Sequence, residues 1–99
     1  MNLLDQADTT RLCEIMELAA ARSMRPHLRV GESSVSVGMD LQHFSCARSE
    51  SRLIRAVASQ HEVAGRLHHF IVNAFDDRGL IAVAEHTRAV VPGRRLLES

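Results

Sequence analysis

The sequence predicts an α+β fold in which one long helix covers a four-stranded antiparallel sheet. First, apolar residues recur at three- and four-residue steps over residues 8–25, which is typical of a helix. Second, the period changes to two from about residue 30 onwards, as in half-buried strands. Third, short turn sequences separate the later segments. Because a lone sheet has one face to bury and a helix can cover it, the elements are expected to form two layers.

The helix is predicted over residues 8–25, and Pro26 is expected to end it because the residue before a proline avoids the helical region. Four residues could cap its N-terminus, namely Asp5, Asp8, Thr9 and Thr10. Four strands are predicted over residues 30–44, 52–63, 66–75 and 80–91. The segment "DDRG" before the last strand is a turn in which Gly79 takes a positive φ. These short connections favour an antiparallel meander, whose open edges invite a partner.

The first predicted strand contains "SVSVGMDLQH" and ends in a histidine on its apolar face. Strict alternation turns five residues toward the core: Val35, Val37, Met39, Leu41 and His43. Ser34 and Ser36 then fall on the opposite face. Glu17 lies on the apolar side of the predicted helix, because its neighbours at helical spacing are Cys13, Ala20, Ala21 and Met24.

If the helix packs on that strand, Glu17 and His43 point into one interface. A carboxyl group and an imidazole in a shielded interface can handle protons, which favours a catalytic pair. Two plainer interpretations stay open: His43 is a hydrogen-bonded structural residue, and Glu17 reaches solvent at the helix rim.

Composition limits the possible functions. The 99 residues predict a single domain over 1–99, and a chain of this size gains from a partner subunit. The formal net charge of zero argues against binding to nucleic acid or an anionic membrane. The sequence contains no lysine, which excludes a Schiff-base or P-loop lysine. Cys13 and Cys46 form no close-spaced motif, and with no secretory signal or long apolar run we expect a cytoplasmic location.

Three stretches resemble a known family: "MELAAARSMRPHLRVGESSVSVGMDLQH", "AGR" and "FIVNAFDDRGLIAVAEHTRAVV". They are similar to the fluoroacetyl-CoA-type thioesterases, which have the hot-dog fold. That family carries a Thr, a Glu eight residues later and a His 26 residues beyond, and Thr9, Glu17 and His43 match this spacing. The resemblance implies hydrolysis of a small acyl-CoA to the acid and free CoA.

The resemblance also implies roles for individual residues. Thr9 would be the nucleophile or position a water, and Glu17 and His43 would relay protons; which of Thr9 and Glu17 attacks the carbonyl or activates water stays open. Ser36 stands where the family usually has a glycine beside the substrate carbonyl. Arg88 matches the arginine of the family's "HxR" and is implied to lie near the acyl pocket, with a solvated strand residue as the alternative. No cofactor is implied beyond CoA as part of the substrate.

The chain departs from the family pattern in two places. Family members begin with an additional strand, whereas only eight residues precede Thr9, so this first strand is expected to be missing. The segment "FSCARSES" replaces a proline-glycine turn after the histidine, and its surroundings include Arg48 and Arg52, which would either meet CoA phosphates or be solvated. The family also implies a homodimer or tetramer with sheets joined edge to edge.

Alternatives from other functional classes remain. A hot-dog module that binds an acyl thioester or a protein without turnover is the main one, and a dehydratase or isomerase acting on acyl-CoA is another. A structural zinc site is disfavoured because only His43 and Cys46 are closely spaced. His68 and His69 must point to opposite faces of their strand. The remaining histidines are expected at the surface or rim: His27, His61 and His86.

Overall fold

The structure, a computed structural model, describes residues 3–44 and 53–93, with side chains described from Thr9 onward. One helix is followed by a short 3₁₀ turn and four strands: α1 Leu3–Met24, the turn Arg25–His27, β1 Glu32–His43, β2 Arg55–Ala64, β3 Leu67–Asp76 and β4 Gly79–Pro92. The predicted α+β architecture is confirmed. The expectations for Cys46, Arg48 and Arg52 lie outside the described residues.

Helix α1 begins earlier than the sequence pattern predicted. It spans Leu3–Met24, so the four proposed capping residues lie inside the helix and their assignment as caps is wrong. The helix extends over these residues because no glycine or proline interrupts residues 3–24. The stop is as predicted: α1 ends at Met24, and Pro26 follows within the first two positions of the 3₁₀ turn.

The sheet has the strand order β1-β4-β3-β2, with all neighbouring strands antiparallel. The predicted meander therefore holds for β2, β3 and β4 and is wrong for β1, which lies beside β4. Tight turns force β2, β3 and β4 to pair in sequence, and Gly79 has φ 133° as expected. The connection over residues 44–54 is long enough to let β2 pair on the far side of the sheet.

Strand β1 contains a β-bulge that the alternating pattern did not predict. Its pairing with β4 shifts between Ser36 and Gly38, so Val37 is left out of the register. The extra residue reverses the alternation, which places Ser36 on the helix side together with Met39. The prediction of one continuous core-facing row is therefore wrong, and Val37 is 57% exposed.

The core lies where one face of α1 packs on the inner face of the sheet. Leu12, Met16, Ala20 and Met24 form a fully buried stripe at helical spacing. The sheet contributes buried residues chiefly from its two central strands: Phe70, Val72, Ala74, Ile81, Ala82, Ala84 and Val90. Three polar residues of the central strands are also buried, namely His68, His86 and Arg88. Two of these polar residues belong to the site described next.

Candidate active site

Glu17 and Ser36 meet at the rim where α1 passes over β1. The Ser36 Oγ donates a hydrogen bond of 3.1 Å to the Glu17 Oε1. Glu17 is half-buried and Ser36 is exposed, so a carboxylate held by the protein remains open to a ligand. The bulge in β1 makes this contact possible, because strict alternation would have turned Ser36 away from the helix.

Arg88 lies buried directly behind this contact. Its Nε donates to the Ser34 Oγ at 3.0 Å and its Nη2 donates to the Ser34 carbonyl oxygen at 3.1 Å. Only 7% of the residue is exposed, so the alternative of a solvated strand arginine is wrong. Burial lowers the pKa of Arg88, while the negative charge of Glu17 acts in the opposite direction.

His86 completes the group, although the sequence pattern placed it at the surface or rim. That prediction is wrong, because only 1% of His86 is exposed. Its Nδ1 lies 2.8 Å from the Gly38 carbonyl oxygen, and its Nε2 accepts from the Arg88 Nη1 at 3.2 Å. Burial lowers the pKa of His86; the Gly38 hydrogen bond raises it, Arg88 lowers it further and Glu17 raises it.

A signal for His86 was present in the sequence. Every second residue of β4 is buried from Ala82 to Val90, and His86 is one of these residues. We call Glu17, Ser34, Ser36, His86 and Arg88 the polar network.

Thr9 and His43 lie toward one end of the molecule, away from the Glu17–Ser36 contact. Helix α1 and strand β1 are joined by a short connection and therefore run in opposite directions. Thr9 is two turns before Glu17, or about 12 Å along the helix. His43 is seven residues beyond Ser36, one of which is the bulge residue Val37, so it lies about 20 Å along the strand. Within one chain, the structure brings Glu17 to Ser36 and leaves His43 at the far end of β1.

His43 is half-buried on the helix side of β1, and its Nε2 is buried with no hydrogen-bond partner among the described residues. A buried polar atom of this kind costs about 1–3 kcal/mol unless something satisfies it. The imidazole is therefore a place where a ligand or further protein atoms would be stabilised.

The other histidines behave largely as the strand pattern predicted. His68 is buried on the helix side of β3, whereas the His69 Nδ1 lies 2.9 Å from the Thr87 Oγ1 on the opposite face. His27 and His61 are exposed. Burial lowers the pKa of His68, as do the charges of His27 and His69.

Among residues 3–44 and 53–93, no three His, Cys, Asp or Glu side chains are grouped so that they could hold a metal ion. In the same residues, no helix is long and apolar enough to cross a membrane. A groove of about 480 Å³ runs between α1 and β2, at the sheet edge opposite β1. It is lined by apolar residues such as Leu18 and Ile54 together with Arg22, Ser23 and Arg55, and it includes no residue of the polar network.

The family model and several solved structures indicate one family. The family model for the fluoroacetyl-CoA-specific thioesterases matches residues 2–94. A point mutant of the fluoroacetyl-CoA-specific thioesterase FlK is similar, with 25% identity and a TM-score of 0.78 over 91% of this chain and 66% of that one. A mutant of FlK in complex with fluoroacetate and CoA gives 26% identity and a TM-score of 0.77 over 89% and 70% of the two chains.

A hot-dog-like protein from Thermanaerovibrio acidaminovorans shares the fold, with 22% identity and a TM-score of 0.77 over 91% of this chain and 66% of its own. A search of curated proteins gave no match. The chain thus spans about 66% of the length of the first of these structures. On the family match and the shared architecture, the chain belongs to the fluoroacetyl-CoA-specific thioesterase family and has the hot-dog fold.

Proposed function

We propose that this protein is an acyl-CoA thioesterase that hydrolyses a small acyl-CoA to the acid and free CoA. The observation that carries the proposal is the half-buried Glu17 carboxylate held by Ser36 at an open rim, with the Arg88 charge behind it. Family membership supports the reaction class, and the likeness to a CoA-bound thioesterase supports CoA as part of the substrate. No cofactor is proposed beyond CoA, and a cytoplasmic location stays a prediction.

The reaction needs an oxygen nucleophile, a base and a leaving-group acid. The oxygen of a water molecule, or the Thr9 hydroxyl in a two-step route, adds to the thioester carbonyl carbon and gives up its proton to a base. The carbon–sulfur bond then breaks, and the departing thiolate takes a proton to form free CoA. In the two-step route, water hydrolyses the Thr9 ester. In the water route, Glu17 is proposed to hold the proton that the water gives up, and His43 to supply the proton to sulfur. Thr9 lies two turns from Glu17 on the same helix, so in the two-step route the proton of its hydroxyl passes to solvent water.

Because Glu17 and His43 are far apart in one chain, we propose that a second copy completes the site. Strand β1 forms one edge of the sheet over the described residues, so two copies can pair through it. In an antiparallel pair centred near Met39, Ser36 of one subunit lies opposite the partner subunit's His43. This dimer would bring the Glu17 carboxylate to an imidazole whose Nε2 lacks a partner among the residues that the structure describes.

A free-thiol release assay on a panel of short acyl-CoAs, including fluoroacetyl-CoA and acetyl-CoA, tests the reaction. We expect Glu17→Gln to lower kcat by about 100-fold or more, because the amide cannot accept a proton. The matched control is Glu14→Gln, since Glu14 is exposed on the same helix and should leave kcat within about twofold. If wild type cleaves no acyl-CoA faster than Glu17→Gln does, the proposed function is wrong.

Mixing two inactive variants tests the shared site. Glu17→Gln and His43→Ala are each expected to be inactive alone. In a mixed dimer one site carries both changes and the other carries neither, so random mixing should restore about a quarter of wild-type activity. Mixtures that stay as inactive as the single variants, while sedimentation shows dimers, would place all catalytic groups in one subunit.

Because Glu17 and His43 are far apart within one chain, a second candidate function also fits the structure. A hot-dog module that binds acyl-CoA without turnover needs no such pair. Equilibrium binding separates the two functions. Tight acyl-CoA binding without thiol release, unaffected by Glu17→Gln, would favour the binding module.

A further inference from the structure

His86 makes two hydrogen bonds that fix its protonation state. A backbone carbonyl can only accept, so the Nδ1 must carry the hydrogen that it shares with the Gly38 oxygen at 2.8 Å. A guanidinium can only donate, so the Nε2 must be the acceptor of the Arg88 bond at 3.2 Å. The ring is therefore neutral with its hydrogen on Nδ1.

The first of these bonds reaches the β1 bulge. Gly38 is the residue at which pairing with β4 resumes after Val37 is skipped. The bond from His86 is a side-chain contact that crosses from β4 to the backbone of the bulge. Because the bulge turns Ser36 toward α1, a bond that holds the bulge also holds the Ser36 hydroxyl against Glu17.

The second bond reaches the charge behind Glu17. The Arg88 guanidinium donates to three acceptors, of which two belong to Ser34 and the third is His86. Without the imidazole, the Arg88 Nη1 loses this buried partner and the guanidinium is held from one side only. The negative charge of Glu17 raises the pKa of both Arg88 and His86. A displaced guanidinium would therefore change the electrostatic surroundings of Glu17.

We propose that His86 is a positioning residue: it fixes the Ser36 contact through the Gly38 carbonyl and fixes the Arg88 guanidinium through its other nitrogen. This inference rests on the proposed function insofar as Glu17 takes part in hydrolysis. His86 acts through Gly38 and Arg88 and does not touch the reacting atoms. A group that is held in place by supporting bonds reacts faster than one that must be oriented during the reaction.

Two substitutions separate the bonds of His86. In His86→Asn, the side-chain amide can donate to the Gly38 oxygen from the position of Nδ1 but cannot reach Arg88. In His86→Leu, both bonds are lost at similar volume. We expect kcat to fall by roughly 100-fold in His86→Leu and by no more than about tenfold in His86→Asn, with KM changed less than kcat.

The matched control is His68→Leu. His68 is also a buried histidine on the helix side of a central strand, but its Nδ1 has no hydrogen-bond partner among the described residues. We expect this variant to keep kcat within about twofold of wild type, because it leaves the polar network intact. Equal losses of kcat in His68→Leu and His86→Leu, or no difference between His86→Leu and His86→Asn, would overturn the proposal.

A measurement without substrate keeps this inference separate from the proposed function. Long-range ¹H–¹⁵N spectra of wild type at neutral pH should show His86 neutral with its hydrogen on Nδ1. The amide signals of Ser36, Val37 and Gly38 should shift in His86→Leu and stay close to wild type in His86→Asn. These results would support the positioning of the bulge even if no acyl-CoA were cleaved. A hydrogen on Nε2 in wild type, or bulge signals unmoved in His86→Leu, would overturn it.

Discussion

The inner face of the sheet has two regions with opposite chemistry, the apolar core and the polar network. In the core, Phe70 and Val72 lie in one buried apolar cluster with Leu12 and Met16. In the polar network, His86 and Arg88 are also buried, with 1% and 7% of each residue exposed, and their polar atoms are hydrogen bonded. The core depends on volume and tolerates small changes of shape, whereas the network depends on each donor meeting its acceptor.

The network is thus better suited to function than to stability. A buried polar group contributes little net stability when it is paired and costs stability when it is not. The proposed reaction gives a reason for burying these polar residues beside the accessible Glu17 carboxylate. The two regions are therefore expected to respond differently to substitution, and the following measurements test that difference.

The largest effect is expected in the core. Phe70→Ala should lower the free energy of unfolding by about 3–5 kcal/mol, because it removes a buried ring and leaves a cavity. Urea denaturation measures the change. Phe44→Ala is the control, since Phe44 is 58% exposed and should cost no more than about 0.5 kcal/mol. Equal losses in the two variants would contradict the assignment of Phe70 to the core.

A smaller loss is expected in the polar network. Arg88→Met keeps much of the side-chain volume but leaves the half-buried Ser34 acceptors and the buried His86 Nε2 without their donor, at a cost of about 1–3 kcal/mol. Arg25→Met serves as the control, because Arg25 is exposed. Urea denaturation measures the free energy of unfolding of both variants. If Arg88→Met is as stable as its control, the hydrogen bonds of the network contribute nothing measurable to stability.

The pH dependence of stability should separate buried from exposed histidines. Burial lowers the pKa of His86 and His68 in the folded protein, so the unfolded chain binds protons more readily between that lowered pKa and about 6.5. Their contribution is complete above pH 6.5 and is lost as the pH falls toward the folded pKa values. Denaturation at pH 7.5 and 5.5 should show a loss of stability on acidification, and the loss should shrink in His86→Asn.

His61→Gln is the control for this pH effect, because His61 is exposed and should leave the pH dependence of wild type unchanged. If wild type is equally stable at both pH values, or if His61→Gln reduces the loss as much as His86→Asn does, the proposed source of the pH dependence is wrong.

The smallest effect is expected at the bulge. Val37→Thr should change the free energy of unfolding by less than about 0.5 kcal/mol, since the side chain faces solvent. Val72→Thr introduces the same hydroxyl into the core and should cost about 1–3 kcal/mol. Urea denaturation measures the change in the free energy of unfolding for both variants. Similar costs for Val37→Thr and Val72→Thr would contradict the exposure of Val37 and support the continuous core-facing row that simple alternation predicts for β1.

Local patterns in the sequence determined the elements of the fold. The change of apolar period from helix to strand, the stop at Pro26 and the turn at Gly79 are set by residues close together in the chain, so they could be predicted, whereas the start of α1 was placed about five residues too late. Three stretches of sequence, taken together with the spacing of Thr9, Glu17 and His43, resembled the family that the family model matches.

Only the tertiary structure decided how these pieces meet. The position of β1 beside β4, the bulge at Val37 and the burial of His86 all depend on contacts between residues distant in sequence. A bulge changes which residues face the helix without changing the composition of the strand, so alternation could not reveal it. The sequence by itself supplied the helix, the strands and the reactive side chains, and long-range strand pairing determined which of those side chains lie together.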